Sequence, residues 1–181
     1  MVKLFCRKFM PSNKVFRKDN QQERLEAIGW IVGFIDGEGC FSVSLHRNPT
    51  TKLGWQIMPE FVATQGEKSL GALKKLQSFF KCGRIFINRR HDNHKENLYR
   101  FCVRSFKDLE EKIVPFFKEN KLQTAKRKDF EIFAKIIHLM KDKKHLSENG
   151  IKKIINLAKR MNTGKRKQIF QESSEAIRQM P

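Results

Sequence analysis

The chain has 181 residues, of which 39% are hydrophobic and 31% charged, a mixture typical of a soluble globular protein with its own core. It contains no apolar run of about 18 residues or more, which excludes a transmembrane helix, and its four cysteines lack a CxxC spacing, which disfavours a zinc ribbon. Its 38 Lys and Arg residues outnumber 19 Asp and Glu residues, and this formal charge of +19 predicts a polyanionic partner, with nucleic acid as the first candidate.

The first 22 residues are basic and have no hydrophobic periodicity. They also lack the apolar stretch of a secretory signal, so we expect residues 1–22 to form a flexible extension. A single folded domain is predicted for residues 23–181. Its first element is a helix over Glu23–Asp36, because the apolar residues of that segment recur at helical spacing.

The middle of the chain alternates between strand and helix patterns. A period of two over Cys40–His46 and over Trp55–Thr64 predicts two strands, and Pro59 in the second predicts a bulge or an edge position. The elements predicted after them are a helix over Leu70–Phe80, strands over Arg84–Asn88 and Leu98–Arg104, helices over Phe106–Glu119 and Ala125–Met140, and a helix capped by Ser147. A short last helix is predicted after the basic turn Thr163–Lys167. This order predicts an α+β fold in which four strands form one antiparallel sheet, followed by C-terminal helices.

The segment Ile31–Gly39 has the most unusual pattern in the chain. An apolar helix with glycines on one face ends there in Asp36 and Glu38, two acids at the end of the helix where the dipole repels negative charge. A hard cation such as Mg²⁺ or Ca²⁺ would remove this conflict. Gly29 and Gly33, one turn apart, indicate a close approach to another helix.

These nine residues resemble the motif of the LAGLIDADG homing endonucleases, with Glu38 as its final acid. The predicted αββαββα order is also that of the family, and the resemblance extends from Glu23 to Arg178. It implies an intron-encoded, site-specific endonuclease. Such an enzyme makes a double-strand break in a long, pseudo-palindromic DNA target by metal-dependent phosphodiester hydrolysis.

The single copy of the motif implies a homodimer. In this family, chains with one motif act as homodimers and chains with two motifs act as monomers. The resemblance therefore implies motif helices that cross at Gly29 and Gly33, with Val32 and Asp36 in the interface and both Glu38 side chains near the two-fold axis. Within its own chain, we expect Asp36 to form structural hydrogen bonds at the helix end.

The resemblance also implies catalytic and metal-binding roles. Glu38 is expected to bind Mg²⁺ together with the backbone carbonyl of Gly37; Mn²⁺ or Ca²⁺ can substitute, the latter without supporting cleavage. The end of the second strand resembles a family segment whose glutamine orients water near the metal, which gives this role to Gln65. Lys126 aligns with a basic residue of the site, with Lys128 as the alternative, and would stabilise charge on the phosphate.

Strand alternation predicts which side chains of the sheet contact DNA. With the apolar set facing the helices, the alternate set faces outward, and a twisted antiparallel sheet lined with polar groups suits the major groove. The outward residues expected to bind DNA are Ser42, Ser44, His46, Asn48, Gln56, Met58, Arg84, Asn88, Arg90, Arg100 and Arg104. The resemblance adds Lys165, Arg166 and Lys167 as phosphate contacts near the cleavage centre.

Two other functions fit the same pattern. An RNA maturase that binds intron RNA and assists splicing would use the same positive charge, and a non-catalytic DNA-binding regulator could use the same scaffold. The presence of Glu38 favours the endonuclease over the regulator. The expected location is intracellular, at the DNA of an organelle or of a prokaryotic cytoplasm.

Overall fold

The computed structural model describes residues 13–89 and 97–161, with side chains from Asn20 onward. A helix and two strands are followed by a second helix and two strands, and then by further helices. No described helix is both long and apolar enough to cross a membrane. In chain order the elements are α1 (Asn13–Glu38), β1 (Gly39–Arg47), β2 (Trp55–Gly66), α2 (Leu70–Phe80), β3 (Arg84–Asn88), β4 (Leu98–Val103), α3 (Phe106–Asp108), α4 (Val114–Glu119), α5 (Lys126–Lys141) and α6 (Glu148–Ala158).

The four strands form one antiparallel sheet in the order β1-β2-β4-β3. This confirms the predicted α+β class and the single antiparallel sheet. Strands β1 and β2 pair without interruption from Gly39 to Arg47, so the bulge, one of the two alternatives predicted at Pro59, is absent. The proline is accommodated because β4 ends opposite Phe61, which makes β2 a local edge on that side.

One face of the sheet carries the core and is covered by helices. Phe41, Phe61 and Phe101, from three different strands, are fully buried together with Phe117 of α4 and Phe133 of α5. The ring centroids of Phe41 and Phe61 are 5.0 Å apart, and Phe117 meets Phe41 edge-on at 5.5 Å. Such rings bury large apolar areas in preferred geometries. Because the core occupies this face, the alternate side chains of each strand line the opposite one.

Helix α1 is longer than the sequence pattern predicts. It begins at Asn13 instead of Glu23. The ten additional residues contain no glycine or proline that would end a helix. Because they are mostly polar, they lack the hydrophobic period on which the prediction relied. At about 1.5 Å per residue, a helix of this length is roughly 39 Å long.

The described helices after the sheet follow the prediction except at one turn, and the predicted short last helix lies outside the described residues. Between α3 and α4, Leu109–Ile113 forms a π-helical turn instead of α-helix. Pro115, near the start of α4, has no N–H to donate and its ring would clash with the carbonyl four residues earlier, which breaks a regular α-helical ladder. The predicted cap of α6 is confirmed, since the Ser147 hydroxyl accepts a hydrogen bond from the Gly150 N–H at 3.3 Å.

Candidate active site and nucleic-acid interface

The segment Ile31–Gly39 forms the end of α1 and its junction with β1. A Cβ atom at Gly39 would lie 2.5 Å from a side-chain carbon of Ile35 and 2.8 Å from its carbonyl oxygen. Glycine at this position therefore allows the strand to leave the helix so sharply. The Glu38 side chain, immediately before the junction, is exposed, so its carboxylate is accessible at the outer end of the helix.

Asp36 binds the segment that leads into α5. Its Oδ2 accepts a hydrogen bond from the Gln123 N–H at 2.7 Å, and its Oδ1 accepts from the N–H and the hydroxyl of Thr124 at 3.2 and 2.8 Å. Burial alone would raise the pKa of Asp36, but these hydrogen bonds and the nearby Lys126 charge lower it overall. Asp36 thus forms structural hydrogen bonds within its own chain, and its place in a dimer interface stays a prediction.

Lys126 reaches the same end of α1 from the first turn of α5. Its Nζ donates to the carbonyl oxygens of Ile35 and Gly37, both at 3.0 Å. Because α1 has no basic residue in its own last turn, Lys126 supplies the cation that the negative end of the helix dipole attracts. Burial lowers the pKa of Lys126, although nearby negative groups oppose the shift. Lys128, the alternative, is exposed.

Gln65 lies at the corresponding end of β2. Gly39 pairs with Ala63, two residues before Gln65, and the Gln65 side chain is half-buried. Glu38, Gln65 and Lys126 therefore come from three distant segments to one corner of the fold, which we call the motif corner. The chemical roles predicted for these three side chains stay predictions.

The oxygen donors of the motif corner suit a hard cation, but one chain provides few of them. Glu38 offers an exposed carboxylate, whereas the Gly37 carbonyl, predicted as a second metal ligand, already accepts a hydrogen bond from Lys126. Among the described side chains, no group of three or more His, Cys, Asp or Glu residues could hold a metal ion. Because a hard divalent ion takes about six oxygen ligands, a single chain supplies only part of such a site. The corner does attract positive charge, since it binds the Lys126 ammonium.

A row of glycines lies exposed along α1. A Cβ atom added at Gly29, Gly33 or Gly37 would meet no described atom within 4 Å. The exposed Leu25 continues the row by one turn, and the half-buried Val32 lies beside it. We call this row the glycine strip. Because it has no side chains, the backbone of a second helix could approach it closely.

The face of the sheet opposite the core carries the residues predicted to bind DNA. Ser42 lies on this face, as strand alternation predicts, but only 6% of its surface is accessible, and its contact with DNA stays a prediction. It stands opposite the longer side chain of Glu60 in the register, which limits its exposure. Arg90, Lys165, Arg166 and Lys167 lie outside the described residues. His46, Gln56, Arg84, Asn88 and Arg104 are exposed, while Ser44, Asn48, Met58 and Arg100 are partly exposed.

The sequence interpretation missed Glu60, which lies in the middle of this face. The Glu60 carboxylate forms ion pairs with Arg100 and Arg104, two of the predicted DNA contacts. The thiol of Cys102, which lies between the two arginines in the chain, donates a hydrogen bond to the same carboxylate at 3.3 Å. Strand alternation could have identified Glu60 as outward, but Pro59 beside it made the register insecure. We call Glu60, Arg100 and Arg104 the carboxylate–arginine cluster.

Known proteins resemble this chain in both sequence and structure. Residues 31–137 match the family described as LAGLIDADG endonuclease. A protein of Neurospora crassa named probable intron-encoded endonuclease 3 is 32% identical over 152 residues, which are 83% of this chain and 27% of that relative. The crystal structure of the homing endonuclease I-TnaI is 37% identical, with a TM-score of 0.73 over 83% of this chain and 97% of that one.

A DNA complex is also among the similar structures. I-SmaMI bound to an uncleaved DNA target in the presence of calcium ions is 32% identical, with a TM-score of 0.70 over 83% of this chain. The alignment covers 49% of the I-SmaMI chain. This chain therefore spans about half of I-SmaMI and 27% of the Neurospora relative, in contrast to nearly all of I-TnaI.

Proposed function

Because the chain belongs to the LAGLIDADG endonuclease family, we propose that it is an intron-encoded homing endonuclease that hydrolyses both strands of a long, pseudo-palindromic DNA site. In this proposal, residues 23–181 form one domain that works as a homodimer with Mg²⁺. The observation that carries the proposal is the motif corner, where an exposed carboxylate and an ammonium group meet at the end of a helix.

The homodimer is supported by the arrangement of α1. The glycine strip and the motif corner belong to the same helix, and the strip leads directly to Glu38. If two copies of α1 pack along their strips about a two-fold axis, both Glu38 carboxylates come close to that axis. The pair would then provide the oxygen ligands that one chain lacks.

Each side chain of the motif corner has a distinct task in this mechanism. A divalent ion held by the Glu38 carboxylates would supply Lewis acidity and an activated water for phosphodiester hydrolysis. Gln65 can orient that water, because its amide both donates and accepts hydrogen bonds. Lys126 uses two of its three N–H groups on α1 carbonyls, so the third can contact a phosphate oxygen as negative charge develops.

Cleavage by the purified full chain tests the proposed function. A duplex selected from a random library for tight binding is incubated with the protein in Mg²⁺ and, in parallel, in EDTA. We expect both strands to be cut within the selected site in Mg²⁺ only. Tight binding with no cleavage in Mg²⁺ or Mn²⁺ would favour the non-catalytic regulator. A preference for folded intron RNA over every duplex would favour the maturase.

DNA binding is expected to weaken steeply with salt. Two chains carry twice the formal charge of +19, and each neutralised phosphate contributes about −0.9 to the slope of log K against log salt concentration. We therefore expect a slope steeper than about −3 in equilibrium titrations between low and physiological salt. A shallower slope would mean that the basic excess serves another purpose than binding the phosphate backbone.

Replacing Lys126 by alanine is expected to lower the cleavage rate more than the DNA affinity, because the ammonium acts on the transition state. The variant should also unfold at a lower temperature, since it loses the two hydrogen bonds to the α1 carbonyls. Lys128→Ala, which removes an exposed lysine two residues away, is the matched control and should change neither property much. If Lys126→Ala weakens only DNA binding, Lys126 is a phosphate contact without a catalytic role. The same split between rate and affinity is expected for Gln65→Ala.

A further inference from the structure

The carboxylate–arginine cluster places an acid on a surface that otherwise favours DNA. Only 13% of the Glu60 side chain is exposed, and Glu60 stands on β2 beside the end of β4. A negative charge on such a face repels phosphates, and its partial burial removes it from water. Both effects are unfavourable unless partner groups compensate for them.

The partners of Glu60 occupy both of its carboxylate oxygens. Arg100 donates through Nη2 to Oε1, and Arg104 donates through Nε to Oε2. The Cys102 thiol donates to Oε2 as well. Burial is the main cause that raises the pKa of Cys102 to about 11, and the negative charge of Glu60 is the second. The thiol therefore stays protonated and remains a donor at neutral pH. The carboxylate therefore has little capacity left for a base of DNA.

The two arginines differ in which donors remain for DNA. Arg104 contacts Glu60 through Nε alone, so Glu60 occupies neither of its two terminal nitrogens, Nη1 and Nη2, which form a planar pair. Its side chain is 55% exposed. Arg100 uses one of its terminal nitrogens for Glu60 and is less exposed, at 38%. The end-on pair of donors that matches O6 and N7 of guanine is thus complete only on Arg104.

We propose that Glu60 is a positioning residue for DNA recognition, which fixes Arg104 so that its terminal nitrogens contact one guanine in the major groove of each half-site. This inference rests on the proposed function, since it takes duplex DNA as the partner of the sheet. Glu60 lowers the general attraction to phosphates and orients one guanidinium. The protein therefore binds DNA of arbitrary sequence less tightly but prefers one base more strongly.

Selection of binding sites from a random duplex library tests this inference on the full chain. Wild type, Glu60→Gln and Arg104→Lys are compared, with Arg127→Lys as the matched control. Arg127 lies on α5, outside the sheet, and likewise donates through Nε to a carboxylate, that of Glu131 at 3.1 Å. Arg104→Lys keeps the charge but lacks the planar pair of donors. Thermal unfolding confirms that each variant is folded.

We expect wild type to select a guanine at one position of each half-site, and Arg104→Lys to reduce that preference about tenfold. Glu60→Gln should weaken the preference at the same position while it increases affinity for duplexes of random sequence. Arg127→Lys should leave this preference intact. A residue that only stabilised the fold would not change the choice of base at a single position.

Three results would overturn the inference. Unchanged preferences in Glu60→Gln and Arg104→Lys would show that the cluster does not recognise bases. Wild type could instead select a cytosine at a position where only Glu60→Gln selects another base. That result would show that Glu60 releases the arginines and contacts cytosine itself. A wild type that selects no sequence at all would contradict sequence-specific DNA binding as well, and would thus overturn the proposed function too.

Discussion

Replacing Glu38 by glutamine is expected to abolish DNA cleavage and to leave DNA affinity nearly unchanged. Glu38 offers the one exposed carboxylate of the motif corner, and an amide is a much weaker ligand for a hard cation. Stabilisation of a phosphodiester transition state by a metal amounts to several kcal/mol, so the rate should fall by at least about a thousandfold. The fold should not suffer, because the change removes a negative charge from the end of a helix that repels it.

Single-turnover cleavage of a selected duplex, with affinity measured in Ca²⁺, separates the two effects. Glu26→Gln changes an exposed acid earlier on the same helix and serves as the matched control. Glu38→Asp should retain some activity, because it keeps the carboxylate one methylene back. A Glu38→Gln rate within about tenfold of wild type would contradict the assignment of Glu38 as a metal ligand.

Replacing Gly33 by leucine is expected to disrupt the proposed dimer and, with it, double-strand cleavage. A Cβ at Gly33 meets no described atom within 4 Å, so the leucine fits within a single chain. Leucine in an exposed helix even gains up to about 1 kcal/mol over glycine. Between two helices packed on their glycine strips, the same side chain overpacks at a cost of about 1–3 kcal/mol per site, and two-fold symmetry applies it twice.

Sedimentation at micromolar concentration distinguishes a local stability effect from loss of the interface. The dimer dissociation constant should rise at least about thirtyfold, while thermal unfolding of the monomer stays unchanged or improves. Gly71→Leu, at another exposed helical glycine with no described atom within 4 Å, should leave the dimer intact. A stable Gly33→Leu dimer would exclude this interface. A monomeric variant that still cuts both strands would exclude a shared metal site.

The arrangement of the sheet could be predicted from the sequence because alternation fixes both faces at once. In β1 the apolar residues define the core side, and the register with β2 follows from it. The same argument could not place Glu60, because Pro59 next to it suggested a bulge that is not there. The pattern within one strand also does not indicate which strands are its neighbours. The contact of Glu60 with Arg100 and Arg104 could therefore be identified only from the structure.

Only the part of the motif corner that depends on local sequence pattern could be predicted. The end of α1 and its two acids follow from local pattern alone. The choice between Lys126 and Lys128 does not, because it depends on where α5 begins relative to α1. The hydrogen bonds from Thr124 and Gln123 to Asp36 fix this start, and they join residues that sequence periodicity cannot relate.

The bond between Asp36 and Gln123 also affects how the protein folds. It closes a loop of 87 residues, so the chain loses the entropy of that loop before the corner can form. Contacts of such long sequence separation slow folding and tend to form after local helices and hairpins. A fragment that contains the whole motif but ends before α5 could therefore form α1 and β1 without assembling a competent site. In the proposed endonuclease, this dependence couples the appearance of activity to completion of the fold.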